Sequence, residues 1–168
     1  ATLDLNDNNE VIGALLGGGA SGGNISLGRG NLTVTSVWRR GATGSTASTA
    51  YAGVISGSGR LIKDGYGILK LTGSNTYTGG TDITDGALSI DGSTVLKSTD
   101  VVTITNNAVL SLDGNTTQTI RSLISSSSNA VVQMFHEDAV LTVNNSGNIT
   151  YAGTIVGYGK LTKGGTGN

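Results

Sequence analysis

A seventeen-residue segment occurs twice in this chain, and that duplication limits the folds open to it more than any other feature. Residues 51–67 read YAGVISGSGRLIKDGYG and residues 151–167 read YAGTIVGYGKLTKGGTG; they align without a gap and share ten identities. Among these are the glycine pairs Gly57/Gly157, Gly59/Gly159, Gly65/Gly165 and Gly67/Gly167. Self-similarity at a fixed separation marks a stacked architecture, in which one unit covers its apolar face only with its neighbour. Upstream, Thr2 to Leu5 (TLDL) resembles Val109 to Leu112 (VLSL), and Ile12 to Gly17 (IGALLG) resembles Ile120 to Ser125 (IRSLIS), at nearly equal separations. Between Tyr51 and Tyr151 the separation is shorter by roughly seven or eight residues, a difference that a solenoid absorbs in its loops.

From Gly57 to Asn75 every second residue belongs to one set, Gly57, Gly59, Leu61, Lys63, Gly65, Gly67, Leu69, Leu71, Gly73 and Asn75, while most residues between them are polar. Alternation at period two is the signature of strands. Nineteen residues are too many for one strand of the usual five or six, so the glycines predict corners, where positive φ or close backbone approach is needed. Apolar pairs at strand spacing recur elsewhere, as in Leu32/Val34, Leu88/Ile90 and Leu141/Val143, with turn formers such as Asp85-Gly86 and Asp113-Gly114 between them. No sustained helical period is present; Val11 to Leu16 and Thr119 to Ile124 read as a strand or a single helical turn. A β-sandwich also suits Asp-Gly turns, but a long glycine-patterned copy favours the parallel coil.

Glycine is abundant, 28 of 168 residues, with no proline and 4% aromatic residues. Such a composition suggests disorder, yet 12% charge and a mean hydropathy of +0.04, with regularly spaced Leu, Ile and Val, argue for a folded chain with a thin aliphatic core. At roughly 20 to 25 residues per coil the chain supplies about seven or eight rungs. The absence of cysteine excludes disulfides, thiolate metal sites and cysteine nucleophiles. A net charge of -1 gives no case for nucleic acid, and no stretch of about 18 or more apolar residues suggests a membrane helix.

Residues 61–90, LIKDGYGILKLTGSNTYTGGTDITDGALSI, resemble the passenger-associated strand repeat of bacterial autotransporters. The matching positions are Leu61, Lys63, Gly65, Gly67, Leu69, Leu71, Gly73, Asn75, Thr76, Tyr77, Gly79, Gly80, Thr81, Gly86 and Leu88, with a shorter match from Leu161 to Gly167. The resemblance implies an all-β, right-handed parallel β-helix. It also implies export through the outer membrane of a Gram-negative bacterium with the help of a translocator barrel, to the cell surface or beyond. On this reading residues 1–168 form a single β-helical stretch of a longer passenger, with internal copies at about 1–67 and 108–167, and the repeat motif has a structural role.

Function is expected to be binding. Arg29, Arg39, Arg40, Arg60, Lys63 and Lys70 face only Asp64 in their part of the sequence, and Asp82, Asp85, Asp91, Asp100 and Asp113 face only Lys97 in the next. Opposed charged zones on a rod steer an anionic partner to one of them. Trp38, Arg39 and Arg40, with Arg29 and Arg60, are the candidate contacts, because Trp and Arg are enriched at binding hot spots and Trp38 precedes a Gly/Ser/Thr/Ala run at 41–50. The expected partner is a host cell-surface protein or an anionic glycan, and exposed strand edges also allow self-association. No enzymatic activity or cofactor is expected. Gly19, Ser21 and Gly23 satisfy G-x-S-x-G, with His136 beside Glu137 and Asp138, but no strand-to-helix context surrounds them. Asp4, Asn6, Asp7, Asn9 and Glu10 could offer oxygen ligands to calcium, though the cluster reads more simply as a solvated turn.

Overall fold

A computed structural model describes residues 1–19, 22–35, 48–93 and 95–168. Its strands, in chain order, are β1 (Thr2–Asp4), β2 (Glu10–Ile12), β3 (Asn24–Ser26), β4 (Leu32–Val34), β5 (Ser48–Tyr51), β6 (Ile55–Ser56), β7 (Leu61–Lys63), β8 (Ile68–Leu71) and β9 (Thr81–Ile83). There follow β10 (Ala87–Asp91), β11 (Val101–Ile104), β12 (Val109–Asp113), β13 (Thr117–Ile120), β14 (Ser122–Ile124), β15 (Val131–Met134), β16 (Val140–Asn144), β17 (Thr154–Gly157) and β18 (Lys160–Gly164). No helix occurs among the described residues. Every named strand pairing is parallel.

The pairings resolve into three faces of a solenoid of about seven turns. The first face carries β1, β3 and β6 at one end and β13, β16 and β18 at the other. The second carries β2, β4, β7, β9, β11 and β14, and the third β5, β8, β10, β12, β15 and β17. Most register partners, such as Leu69↔Leu88 and Thr117↔Val140, are separated by one short coil of the length usual in solenoids. The second coil is longer: Ile25 pairs with Ile55 and Leu32 with Leu61. The expected β-helix and its rung count are both observed, and with about 4.8 Å per strand spacing the rod is roughly 35 Å long.

The core is a set of axial rows. Leu69, Leu88, Leu110 and Val132 stack on the third face, all fully buried. On the second face Leu32, Leu61, Thr81, Val102 and Leu123 form one row and Val34, Lys63, Ile83 and Ile104 another. The period-two pattern arises because alternate side chains enter these rows.

Glycine holds the corners where backbones of successive coils touch. A Cβ on Gly59 would overlap the carbonyl oxygen of Gly30, and one on Gly79 would press on that of Gly59. Gly30, Gly59 and Gly79, at this corner of three successive coils, therefore let adjacent turns close to strand spacing.

The two sequence copies occupy different faces. In the first, Tyr51 lies on the third face, Ile55 on the first and Leu61 on the second. In the second, Ile155 lies on the third face and Leu161 on the first, so the copy is rotated by one face, a third of a turn. The same relation reaches upstream: Gly17 bridges to Tyr51 and Ser125 to Tyr151. The first of these bridges encloses a longer stretch of chain than the second, which places the extra residues of the first copy in the long second coil. The segments considered for a helical turn, Val11 to Leu16 and Thr119 to Ile124, contain strands instead.

Candidate functional site

The repeat motif places polar atoms inside the aliphatic rows. Lys63 points inward and is fully buried; its ammonium donates to the carbonyl oxygens of Asp64 (2.9 Å), Gly65 (2.6 Å) and, on the next coil, Asp85 (3.2 Å). Burial lowers its pKa to about 8, with the nearby Asp85 and Asp64 carboxylates opposing that fall. Lys163, its counterpart in the second copy, donates to the carbonyl of Gly164 at 2.5 Å. The lysine of the motif is thus a cap for the carbonyls of its own glycine turn.

Asn75 does similar work at another corner. Its Oδ1 accepts from the Ile55 backbone N–H (2.9 Å), and its Nδ2 donates to the carbonyls of Gly73 and Val95 (3.0 and 3.1 Å), joining three coils. Asn145 repeats half of this pattern toward Gly147 and Asn168.

A buried hydrogen-bond chain links the motif to the coil after it. The Tyr77 hydroxyl lies 2.6 Å from Thr81 Oγ1, which donates to Asp100 Oδ2 at 2.7 Å. With the Thr81 proton committed to the carboxylate, the Tyr77 O–H donates to Thr81. Thr81 and Asp100 are fully buried and Tyr77 nearly so. Desolvation pushes the Asp100 carboxyl up to about 6, against the Thr81 hydrogen bond that favours its charged form, and pushes the Tyr77 phenol well above its ordinary value. Asp100 Oδ1 has no partner among the described residues, so a carboxyl proton would sit there.

The charged zones of the sequence do not persist as zones on the rod. One coil consumes about as many residues as separate the two sets, so opposite charges meet across neighbouring coils. Arg60 Nη1 lies 2.6 Å from Asp82, and Lys70 Nζ lies 2.8 Å from Asp91 and 3.8 Å from Asp113. With Lys63 buried as well, most of the described basic zone is neutralised internally; this corrects the picture of opposed fields.

The predicted binding residues are only partly placed. Trp38, Arg39 and Arg40 lie outside the described residues. Arg29 is exposed on a turn whose backbone N–H at this residue bonds Asp7 Oδ1 at 2.7 Å. Arg60 lies on the next coil at the same corner, where its N–H bonds Asn31 Oδ1. The acidic N-terminal cluster holds turns: Asp4 accepts from the Asn6 N–H, Asp7 from the Arg29 N–H and Asn9 from the Asn31 N–H. Among the described residues no group of carboxylates and imidazoles has metal-binding geometry.

Ser21 lies outside the described residues, while its neighbours Gly19 and Gly23 precede β3 and His136 follows β15. Those places are four to five coils apart, roughly 20 Å at strand spacing. His136 instead accepts from the Asp138 N–H (3.2 Å) within its own turn.

What sequence reading missed is a group of exposed aromatics. Tyr66, Phe135 and Tyr158 are 77%, 60% and 76% exposed. Phe135 and Tyr158 stand one coil length apart in the sequence, which was the available signal.

Comparison with known proteins agrees with the motif. The family model described as the passenger-associated-transport-repeat matches residues 61–90. The chain is 40% identical over 89 residues, 52% of its length, to an adhesin, the BmaC autotransporter of Brucella suis biovar 1 (strain 1330). The repeat match and this likeness support an autotransporter passenger. It is also 44% identical over 59 residues, 35% of its length, to an extracellular serine protease of Serratia marcescens. These matches span 2% and 6% of the two relatives. No solved structure matches the chain.

Proposed function

We propose that this passenger solenoid is exported by a Gram-negative bacterium, is displayed on or released from its surface, and acts as a non-enzymatic adhesin engaging a host cell-surface partner. The observation that carries this reading is the exposure of Tyr66, Phe135 and Tyr158 on a rod whose motif polar groups are occupied by internal bonds. Large exposed aromatics on a rigid scaffold are characteristic of recognition surfaces. The likeness to an adhesin over half of the chain supports it. Trp38, Arg39 and Arg40, with Arg29, remain contacts proposed for the same partner.

A purely structural stalk is the second reading, favoured by the internal use of Arg60, Lys63 and Lys70. Incubating the labelled chain with host cells separates the two: saturable binding supports the adhesin, and its absence supports the stalk. Replacing Trp38, Arg39 and Arg40 together with alanine reduces saturable binding if that segment takes part. Hydrolysis of ester or peptide probes, lost on Ser21→Ala or His136→Ala, would instead establish an enzyme like the serine protease relative.

A further inference from the structure

The corner between the third and first faces carries a surface that none of the structural roles above uses. The register Met134↔Gly157 and the bond from the Tyr158 N–H to the Met134 carbonyl (2.8 Å) place Phe135 and Tyr158 side by side on successive coils. Their rings are the exposed ones. The coil from Thr117 to Val140 is longer than the next, from Val140 to Lys160. The excess at this corner is the turn His136-Glu137-Asp138, closed by the Ala139 N–H donating to the His136 carbonyl at 3.0 Å. In solenoids such insertions commonly mark a binding face. Ser111, Leu112, Asp113, Gly114, Phe135 and His136 line a groove of about 300 Å³ beside it.

The charge here is negative. Asp113 lines the groove, Glu137 and Asp138 belong to the inserted turn, and Asp91 lies one coil before Asp113; the nearby cations are Lys70, engaged by both Asp91 and Asp113, and Lys160, whose N–H bonds the Ala139 carbonyl. Four carboxylates therefore outnumber two ammonium groups. Aromatic faces carry negative quadrupole potential and attract ammonium and guanidinium groups within about 6 Å. An anionic glycan is repelled by the same carboxylates.

We propose that this corner binds a lysine- or arginine-bearing segment of a partner protein, with cations over the Phe135 and Tyr158 rings and against Glu137 and Asp138. The proposal rests on the adhesin reading and names the surface and partner chemistry for it. A single exposed cation–π contact is weak, so the segment carries several cations, and the attraction falls as salt is raised.

The test uses the full chain and fluorescent peptides of alternating lysine and glycine, with glutamate-glycine peptides and a neutral hexasaccharide as comparisons. The lysine peptide is expected to bind at low salt. Its affinity should fall about tenfold or more in the double variant Phe135→Ala/Tyr158→Ala and in Glu137→Gln/Asp138→Asn, and stay unchanged in Val11→Ala, an exposed apolar position on the second face. All these side chains are on the surface, and circular dichroism verifies the fold. No binding of the lysine peptide, equal binding by the aromatic double variant, or preference for the glutamate peptide or hexasaccharide overturns the proposal. Host-cell binding measured in parallel separates the two levels: cell binding without peptide binding removes this site and keeps the adhesin, while peptide binding without cell binding keeps the site and removes the adhesin.

Discussion

Replacing Asp100 with asparagine should abolish a pH dependence of stability that the wild-type solenoid carries. Burial raises the Asp100 pKa from 3.8 to about 6, so the folded rod holds this proton more tightly than the unfolded chain does. Between roughly pH 4 and 6 the native state therefore binds more protons, and stability rises as pH falls through that window. Two pKa units correspond to about 3 kcal/mol at full effect. Asparagine imitates the protonated carboxyl: its oxygen can accept from Thr81, and it brings no charge to a fully buried position. Guanidinium unfolding of both proteins at pH 7.5 and pH 5 gives the comparison, and subtracting the variant removes contributions shared with other carboxylates. The wild type should gain roughly 1.4 kcal/mol relative to Asp100→Asn on acidification. Parallel pH profiles for the two proteins would refute the assignment of a buried, reluctantly ionised carboxyl.

Three further perturbations probe the packing. Lys63→Met removes the donor to three carbonyls and should cost roughly 2–4 kcal/mol in unfolding at pH 7. Because burial depresses this lysine to about 8, wild-type stability measured against that variant should fall as pH drops from about 10 toward 8, where the unfolded chain holds the proton better. Gly59→Ala, whose Cβ meets the Gly30 carbonyl, should cost about 1–3 kcal/mol or more; Gly147→Ala, with open space around it, should change stability by less than about 0.5 kcal/mol. Leu110→Ala, in a fully buried row, should cost about 2–5 kcal/mol by thermal or chemical unfolding.

The architecture is legible in the sequence because its causes are local. Glycines at fixed spacing and alternating leucines mark corners and rows, and Leu61, Leu69, Leu71 and Leu88 enter the core as that pattern requires. The charge map is not legible, because pairing depends on coil length. Arg60 meets Asp82 and Lys70 meets Asp91 one turn away, so apparent zones along the sequence become rungs in space. Lys63 reads as a surface charge by residue type, although its alternation with Leu61 already places it on the inward face. Asp100 lies outside the motif and gives no sequence sign of its burial, since the Thr81 hydroxyl that holds it comes from the preceding coil. Phe135 and Tyr158 follow the coil-length rule and become neighbours once the register is known.

Electron-spin distances along one outward row test the stacked register most directly. Val11, Thr33, Ile62, Asp82, Thr103 and Ile124 are successive partners on the second face, and a chain without native cysteine accepts paired spin labels cleanly. With one label at Ile124, moving the second from Thr33 to Val11 should lengthen the separation from roughly 19 to roughly 24 Å, one strand spacing for one coil. Separations that fail to grow with each coil, or that shorten between Thr33 and Val11, would contradict a parallel solenoid.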